Sequence, residues 1–414
     1  MKQSYEFNIE KIKNLSLEEK NIRKKNLDLF LESGFPNKQI EDWKFTDLNS
    51  ILNKNFEKID NNHDFDLNKK IEIIQDFEHN YVLLSNGKLN SSSFKYEEKN
   101  KIKISDYNQK NFINIDRPNS LTFLNNALSS GGFSLEVTKD YKFKKPLIIY
   151  NFFSNNLKNT ILNNKNSIKL NKGAELILLD YTTDNSGNNF IKNTFEEVFL
   201  DERAIFTNIS VQQSRSNGHF YKYINGHLEG NSNYQNYILS SGLRLNKTEI
   251  EINLNKDKSS CNIQSALYLS LDEHHEIKTR INHNSPHCES YQKIKNVLNE
   301  NSKSVYQGKI FVKDVAQKTN AYQISRAMLL DDRAEFDAKP ELEIYADDVK
   351  CSHGSTSGSI DEDSIHYLMT RGISEKDAVK LLIKGFLSEV LDSITNIELK
   401  AFLENNLENQ INGH

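Results

Sequence analysis

The sequence predicts a mainly β chain, with a solenoid of stacked strands between a helical N-terminal part and a helical C-terminal part. Three observations predict it. From about residue 115 to 350, short apolar strands alternate with turns rich in Asn, Gly, Ser and Asp, and no amphipathic helix intervenes. Within that stretch a degenerate unit recurs: a leucine, a polar or small-residue turn, then an apolar strand. Leu170, Leu200, Leu228, Leu254, Leu298 and Leu330 open such units, at spacings of 30, 28, 26, 44 and 32 residues. Helix-capping chemistry, by contrast, is concentrated near the two ends of the chain. Strand units without crossover helices suggest a solenoid, because each coil buries its apolar face only against its neighbours. The pattern by itself also admits a β-sandwich, and the 44-residue spacing marks a missed coil or an insertion.

The elements follow in order. Ser16 and Glu19 form a capping box, and Leu27, Phe30 and Leu31 continue at helical spacing until Gly34 and Pro36 stop the helix. Glu41-Asp42-Trp43-Lys44-Phe45-Thr46 holds the only tryptophan, which is expected to anchor a core. A polar stretch containing Asn61-Asn62-His63 comes next. Tyr81-Val-Leu-Leu-Ser-Asn86-Gly87 then reads as a strand entering a tight turn. Near the C-terminus, Asp361 and Ser374 are N-cap candidates, Ser374 standing three residues before Asp377. One apolar stripe there is Ala378, Leu381, Leu382 and Phe386, and another is Val379, Ile383, Leu387, Val390 and Leu391. A helix apolar on two sides needs two surfaces, its own domain and either a partner or a second part of the same domain. The expected divisions are a mainly helical N-terminal domain over 1–114, the solenoid over 115–354 and a helical C-terminal domain over 355–414.

Composition narrows the function. With 414 residues, more than one core is expected. Hydrophobic residues at 37%, with 23 Phe and 17 Tyr, suffice for a large buried area. A net charge of -4 argues against a general nucleic-acid binder. Three cysteines, at 261, 288 and 351, are an odd number and suggest a reducing compartment rather than a disulfide framework. No apolar run reaches the roughly 18 residues of a membrane span. The first eight residues hold no apolar core for a signal peptide. A soluble, cytoplasmic protein is expected.

Common catalytic motifs are missing. No G-x-x-x-x-G-K-[ST] phosphate loop occurs, and Asn86-Gly87-Lys88 is followed by Leu89; any ATP use must come from another chain. Neither G-x-G-x-x-G nor G-x-S-x-G is present, nor a Cys-x-x-Cys or His-Glu-x-x-His zinc pattern. The densest histidine cluster runs from His274 to His287-Cys288. In strand register His275, Ile277, Thr279, Ile281 and His283 share a face, which the isoleucines turn inward, so both histidines read as core residues. His287 and Cys288 follow Pro286 and are expected on a turn. In Ala316-Gln317-Lys-Thr-Asn320-Ala-Tyr-Gln323, the amides read as hydrogen-bonding ladders between coils. The strongest candidate is Lys339-Pro-Glu-Leu-Glu-Ile-Tyr-Ala-Asp-Asp-Val-Lys-Cys351-Ser-His353-Gly-Ser-Thr. It reads as an extended run ending in two metal-competent side chains, with a tight glycine turn after them. Residues i and i+2 of a strand face the same way about 7 Å apart, and a thiolate beside an imidazole suits iron, zinc or an iron–sulfur cluster.

That stretch closely resembles the C-terminal signature of the SufB/SufD family, in its SufD branch. Glu41 to Thr46 resembles the Glu-Asp-Trp-Lys-Tyr-Thr segment of the same branch. His283 through Ser290 to Lys293, Val305-Tyr-Gln-Gly308-Lys and Ala316 to Gln323 are similar to the family core. The likeness continues through Asp361, Tyr367, Leu368 and Arg371-Gly372-Ile373. The SufB branch carries Glu-His-Glu where this chain has Cys351-Ser352-His353. One departure is Gly354-Ser355-Thr356-Ser357-Gly358, where the family has Gly-Ala-Thr-x-Gly. The resemblance implies a right-handed parallel β-helix core flanked by helical domains. It implies a non-catalytic scaffold subunit of the SUF machinery, with a role in iron acquisition. The implied partners are a SufB-like paralogue, paired through the β-helix, and a SufC-like ABC ATPase at the C-terminal helices, with a homodimer in isolation. A transient iron–sulfur cluster would form at the SufB–SufD interface, with His353 and a SufB cysteine as ligands and Cys351 as a neighbour or further ligand. A reduced flavin is associated with such complexes. Two readings from other classes stand beside it. One is a β-helical carbohydrate-active enzyme, which needs paired carboxylates, whereas Asp347 and Asp348 would face opposite sides of a strand. The other is a metal-free structural solenoid.

Overall fold

The computed structural model describes residues 4–12, 15–61, 73–107, 118–154, 157–183 and 188–412. Asn62 and His63 of the polar stretch lie outside them. The N-terminal part contributes β1 (Ser4–Glu6), α1 (Leu17–Ser33), α2 (Leu48–Asn55) and β2 (Lys58–Asp60). The hairpin β3 (Asn80–Ser85) and β4 (Lys88–Ser93) follows, then β5 (Ile102–Asp106), α3 (Ser120–Leu128), β6 (Phe133–Val137) and β7 (Leu147–Phe152). The next coils are β8 (Lys158–Leu170), β9 (Glu175–Thr182), β10 (Asn189–Leu200), β11 (Ile205–Gln212), β12 (His219–Leu228), β13 (Asn233–Ser240) and β14 (Leu245–Leu254). The last are β15 (Ser260–Leu269), β16 (His274–His283), β17 (Glu289–Leu298), β18 (Lys303–Val312), β19 (Asn320–Leu329), β20 (Glu335–Ile344) and β21 (Lys350–Ser359). Helices α4 (Glu362–Thr370), α5 (Glu375–Ser388) and α6 (Ile397–Asn412) end the described chain. From β7 onward, even-numbered strands join one sheet and odd-numbered strands the other. Each strand pairs in parallel with the strand two places on in the sequence. The core is therefore a parallel β-solenoid, and the antiparallel sandwich is set aside. None of the described helices is long and apolar enough to cross a membrane.

The register explains the spacing of the leucines. Leu170, Leu200, Leu228 and Leu254 stand directly above one another at the ends of the even strands. His283 occupies the next position, then Val312 and Ile344. Leu298 belongs to the other sheet, where it stacks between Leu269 and Leu329. Thus the 44-residue spacing contains no insertion; it combines a change of sheet with the replacement of a leucine by His283. Beyond each leucine the corner carries one residue with positive φ: Gly173, Arg203, Asn231, Lys258, His287 and Lys318, at 57–68°. The backbone N–H at each of these donates to a corner carbonyl of the next coil, as from Arg203 to Gly230 (3.0 Å) and from His287 to Gln317 (2.9 Å). His287 is on a turn as expected, and its place there is a backbone one.

Helices cover the outer faces of both sheets over the earlier coils. On the even sheet, α3 and the Phe30, Phe35 and Trp43 side chains pack against Ile161, Phe195, Tyr221 and Tyr223. On the odd sheet, Ile383, Leu387, Val390 and Leu391 pack with α6 against outward residues such as Ile209, Tyr237 and Val297. Capping follows the sequence. Ser16 and Glu19 make the reciprocal box at the start of α1, while Asp361 and Ser374 cap α4 and α5. The tight turn at Asn86-Gly87 uses two residues with positive φ, as a two-residue hairpin loop requires. Leu31 departs from expectation: it is 51% exposed, because only the Phe30 side of α1 meets the sheet. Of the two stripes on α5, one docks on the odd sheet, whereas Leu381 on the other is 48% exposed. Strands also overrun both expected divisions, since β3 already pairs with β7 and β21 continues to Ser359.

The Trp43 segment sits over a buried charge pair that the sequence did not reveal. Lys247 and Glu276 are neighbours on the outward face of β14 and β16, each fully buried and ion-paired to the other. The Lys247 ammonium lies 4.2 Å from the Trp43 ring centroid, and Glu276 accepts hydrogen bonds from Thr46 and from Gln307 (2.7 Å). Burial by itself would raise the Glu276 carboxyl. The Lys247 charge and these hydrogen bonds outweigh burial and hold it below the ordinary carboxylate value. Glu276→Gln removes the nearer of two carboxylates paired with Lys247 and leaves Glu249 at 3.5 Å, so it is expected to destabilise in urea unfolding at pH 7 by less than the about 3–5 kcal/mol of a fully uncompensated buried charge. Because Glu276 binds its proton more weakly when folded, the pair stabilises fully above the unfolded carboxylate range. Its contribution is lost as pH falls through the folded value. The gap between wild type and Glu276→Gln should therefore stay level from pH 7 down to the unfolded carboxylate range near 4.5 and shrink as pH falls below it; a gap that does not shrink below that range would contradict the pairing.

Candidate functional site

The solenoid ends without a lid. Strands β20 and β21 are the outermost members of the even and odd sheets, so each leaves one backbone edge unpaired. Among the described residues no helix from α1 to α6 covers the mouth between them, β20 is met on its outer face by Glu41 at Lys339 (2.6 Å), and no residue of β20 or β21 is fully buried. Pro340 lies in β20, an edge strand of the kind that tolerates a residue without an N–H.

Cys351 and His353 both lie on β21, and the register settles which way they face. Cys351 continues the inward ladder Cys261, Ser290, Ala321, and His353 continues Asn208, Asn236, Ile263, Gln292, Gln323. Both positions are interior in every earlier coil; here no further coil lies above them. The expected shared face is present, but the expected strand end and glycine turn are not. The turn occupies residues 345–349, before Cys351, and Gly354 is strand with no positive φ, because parallel pairing to β19 carries the backbone straight on. Asp347 and Asp348 lie on that corner rather than on a strand, and Asp348 is ion-paired to Lys318. They form no acid–base pair across a strand ladder.

Cys351 is half-buried against Val312, Ala321 and Val349. Burial pushes its thiol up, partly offset by a hydrogen bond from the Ala321 backbone. His353 is exposed. Beneath it the polar floor is rigid: Tyr306 donates to Gln323 Oε1 (3.1 Å), and Gln323 Nε2 donates to the Glu341 carbonyl (3.2 Å). Gly308 makes room for this pair, since a Cβ there would lie 2.1 Å from Gln323 Oε1. Of the amides expected in ladders, Gln323 stacks on Gln292 inside the solenoid. Gln317 instead bonds at the corner, to the Asp314 carbonyl. Among the described residues no cluster of three or more His, Cys, Asp or Glu could hold a metal ion. Two donors on one strand leave most of a coordination sphere to be filled by ligands from outside the described residues.

His275 and His283 are internal, as their inward register indicated. His275 bonds the Gly242 carbonyl (2.6 Å) and Ser240, and burial lowers it to about 3. His283 bonds Ser290 (2.9 Å) and is lowered to about 3 for the same reason. Sequence reasoning missed Ser325 and Ser355, whose hydroxyls pair between the last two coils (2.9 Å); only the register makes them neighbours.

Comparisons with known proteins bear on this site. The family model described as SUF system FeS cluster assembly, SufBD core domain, matches residues 152–386, and the SufBD protein N-terminal region matches residues 2–101. An iron–sulfur cluster assembly SufBD family protein of Synechocystis is 31% identical over 215 residues, 52% of this chain and 47% of that protein. Iron–sulfur cluster assembly protein SufD of Escherichia coli is 38% identical over 147 residues, 36% of this chain and 35% of that protein. SufD of Bacillus subtilis is 25% identical over 309 residues, 74% of this chain and 70% of that protein. The matches thus span about half or less of the first two relatives.

The thiols give a direct test of the placement. Cys261 and Cys288 are buried and Cys351 alone is partly accessible. A disulfide reagent such as DTNB should label one thiol in the native protein at pH 8, more slowly than free cysteine because the thiol is raised, and faster as pH rises. Cys351→Ser should abolish native labelling while two thiols still react after denaturation. Fast labelling of more than one native thiol would contradict the placement.

Proposed function

The chain belongs to the SufB/SufD family of iron–sulfur cluster assembly proteins, and on that premise we propose that it is a non-catalytic scaffold subunit of a SUF assembly complex. The observation that carries this reading is the uncapped last coil with Cys351 and His353 on its inward face. A paralogous SufB-like chain would extend the solenoid by pairing with the free edges of β20 and β21, since unpaired strand edges recruit further strands. The nascent cluster is then cargo at the junction, with His353 as one ligand, the remaining ligands from the partner and Cys351 as a further donor. An imidazole in place of a thiolate makes a more labile site, which suits a cluster that is handed on. In isolation the same end would pair with a second copy. A role in iron acquisition fits the same ligands. The reduced flavin associated with such complexes is assigned to no residue of this chain. Three unpaired cysteines support a reducing, cytoplasmic setting.

The chain has no phosphate loop, so a SufC-like ABC ATPase must supply nucleotide hydrolysis. Tyr367, Met369 and Leu381 on α4 and α5 are 59%, 43% and 48% exposed and offer an apolar docking face.

His353→Ala tests the ligand role. It should leave folding and partner binding intact, within about 0.5 kcal/mol for an exposed position, and sharply reduce cluster content. The measurement is iron, sulfide and visible absorbance of the co-expressed complex, with assembly checked by size-exclusion chromatography. Normal cluster content would sink the ligand assignment, and loss of the complex would make His353 structural. Leu381→Asp tests the docking face separately. Co-purification of the ATPase should be lost while thermal stability is kept; full retention would defeat that assignment.

A further inference from the structure

Ser355 lies two residues beyond His353 on the same inward face of β21, about 7 Å further along the strand. It stacks on Ser325, which is 1% exposed, and the two hydroxyl oxygens are 2.9 Å apart. Ser325 donates its proton to Ser355 and has no other hydrogen-bond partner among the described residues; leaving a buried hydroxyl proton unbonded is costly. With one lone pair of Ser355 so occupied, its own O–H lies on the face toward the mouth of the solenoid with no acceptor among the described residues. Ser357 and Ser359 share that face, but Ala327 and Leu329 lie beneath them, and neither is propped in this way.

We infer that Ser355 is a hydrogen-bond donor to sulfur in the mouth: its hydroxyl, oriented by Ser325, binds a sulfide of the cluster held beside His353. This rests on the reading of His353 as a cluster ligand. Hydrogen bonds to cluster sulfur stabilise the reduced, more negative state and so raise the reduction potential. An oriented hydroxyl of this kind both tunes the cluster and slows its loss until the partner opens the junction.

The test uses the purified complex carrying its cluster, in wild type, Ser355→Ala, Ser355→Thr and Ser357→Ala forms. Spectroelectrochemical titration gives the midpoint potential, and a ferrous chelator gives the rate of iron loss. Ser355→Ala should shift the potential negative and speed iron loss by about fivefold, the size expected for one hydrogen bond. Ser355→Thr, which keeps the hydroxyl, should retain the wild-type values, and Ser357→Ala should change neither. If Ser355→Ala holds no cluster, restoration by Ser355→Thr supports the hydroxyl, and failure to restore overturns the inference. Unchanged potential and loss rate in Ser355→Ala overturn it, as does an equal effect of Ser357→Ala. Loss of the complex in Ser355→Ala overturns it too, because the role would then be structural. Normal cluster content in His353→Ala would instead overturn the underlying ligand reading and leave the Ser355 measurements to stand apart from it.

Discussion

Parallel, in-register pairing between successive coils is the constraint on which the remaining structure depends. Because each strand repeats the register of the strand two places before it, a side chain's direction is inherited rather than chosen locally. An inward position stays inward in every coil, directly above its predecessor, at the roughly 4.8 Å spacing of paired strands. Apolar ladders such as Leu170 to Leu254 follow at once. Polar residues on inward positions must then be satisfied by the coils above and below. Lys222 lies inside between Asp180 (3.0 Å) and Glu196 (3.1 Å), and Tyr306 bridges Gln292 and Gln323. The last coil inherits interior addresses with no neighbour to satisfy them. His353 faces the mouth because Gln323 faces inward, and no local feature of the Cys351-Ser352-His353 sequence could turn it otherwise.

Much of the architecture was legible in the sequence because it arises from short-range chemistry. The caps at Ser16 and Ser374, the Asn86-Gly87 turn and the inward face of β16 each depend on residues within one turn or one strand of each other. What was not legible depends on register across about thirty residues. The replacement of a leucine by His283 looked like a long gap, because no local signal says that a histidine bonded to Ser290 occupies a leucine's place. Gly354-Ser355-Thr356-Ser357-Gly358 reads locally as a turn, yet pairing with β19 keeps it extended. The pairing of Cys351 and His353 on one face was legible, since strand alternation is local. Their exposure was not, because it comes from where the solenoid stops. The contact between Trp43 and Lys247 joins residues some 200 positions apart, with no pattern in the chain to announce it.

Both coverings of the solenoid add a buried lysine to apolar packing. On the odd sheet, α5 and α6 pack on apolar residues, and Lys295, buried beneath the Phe386 ring, bonds the Phe386 carbonyl (2.9 Å) and is ion-paired to Glu389 just after α5. On the even sheet the Trp43 segment adds a buried ion pair to its apolar contacts. Such a pair contributes little net stability over apolar residues of the same shape, because desolvation offsets most of the attraction. Its value is positional: Lys247 and Glu276 satisfy each other and Thr46 only in one placement of the segment on the sheet. Lys339 on the terminal strand β20 also bonds Glu41 of that segment (2.6 Å), which ties the N-terminal covering to the open end.

The corners of the solenoid bear on how a chain of this kind changes over time. Each positive-φ residue, from Gly173 to Lys318, hands its N–H to the corner of the following coil. A single inserted or deleted residue in a strand would shift every later inward position outward and misalign these contacts together. A segment running from one corner to its equivalent, about thirty residues, could be duplicated or lost with the ladders above and below rejoining unchanged. Length in this molecule is therefore quantised. Evolution can place the same terminal pair of side chains at the end of a longer or shorter barrel, and relatives should differ in whole coils where they differ in the middle of the chain.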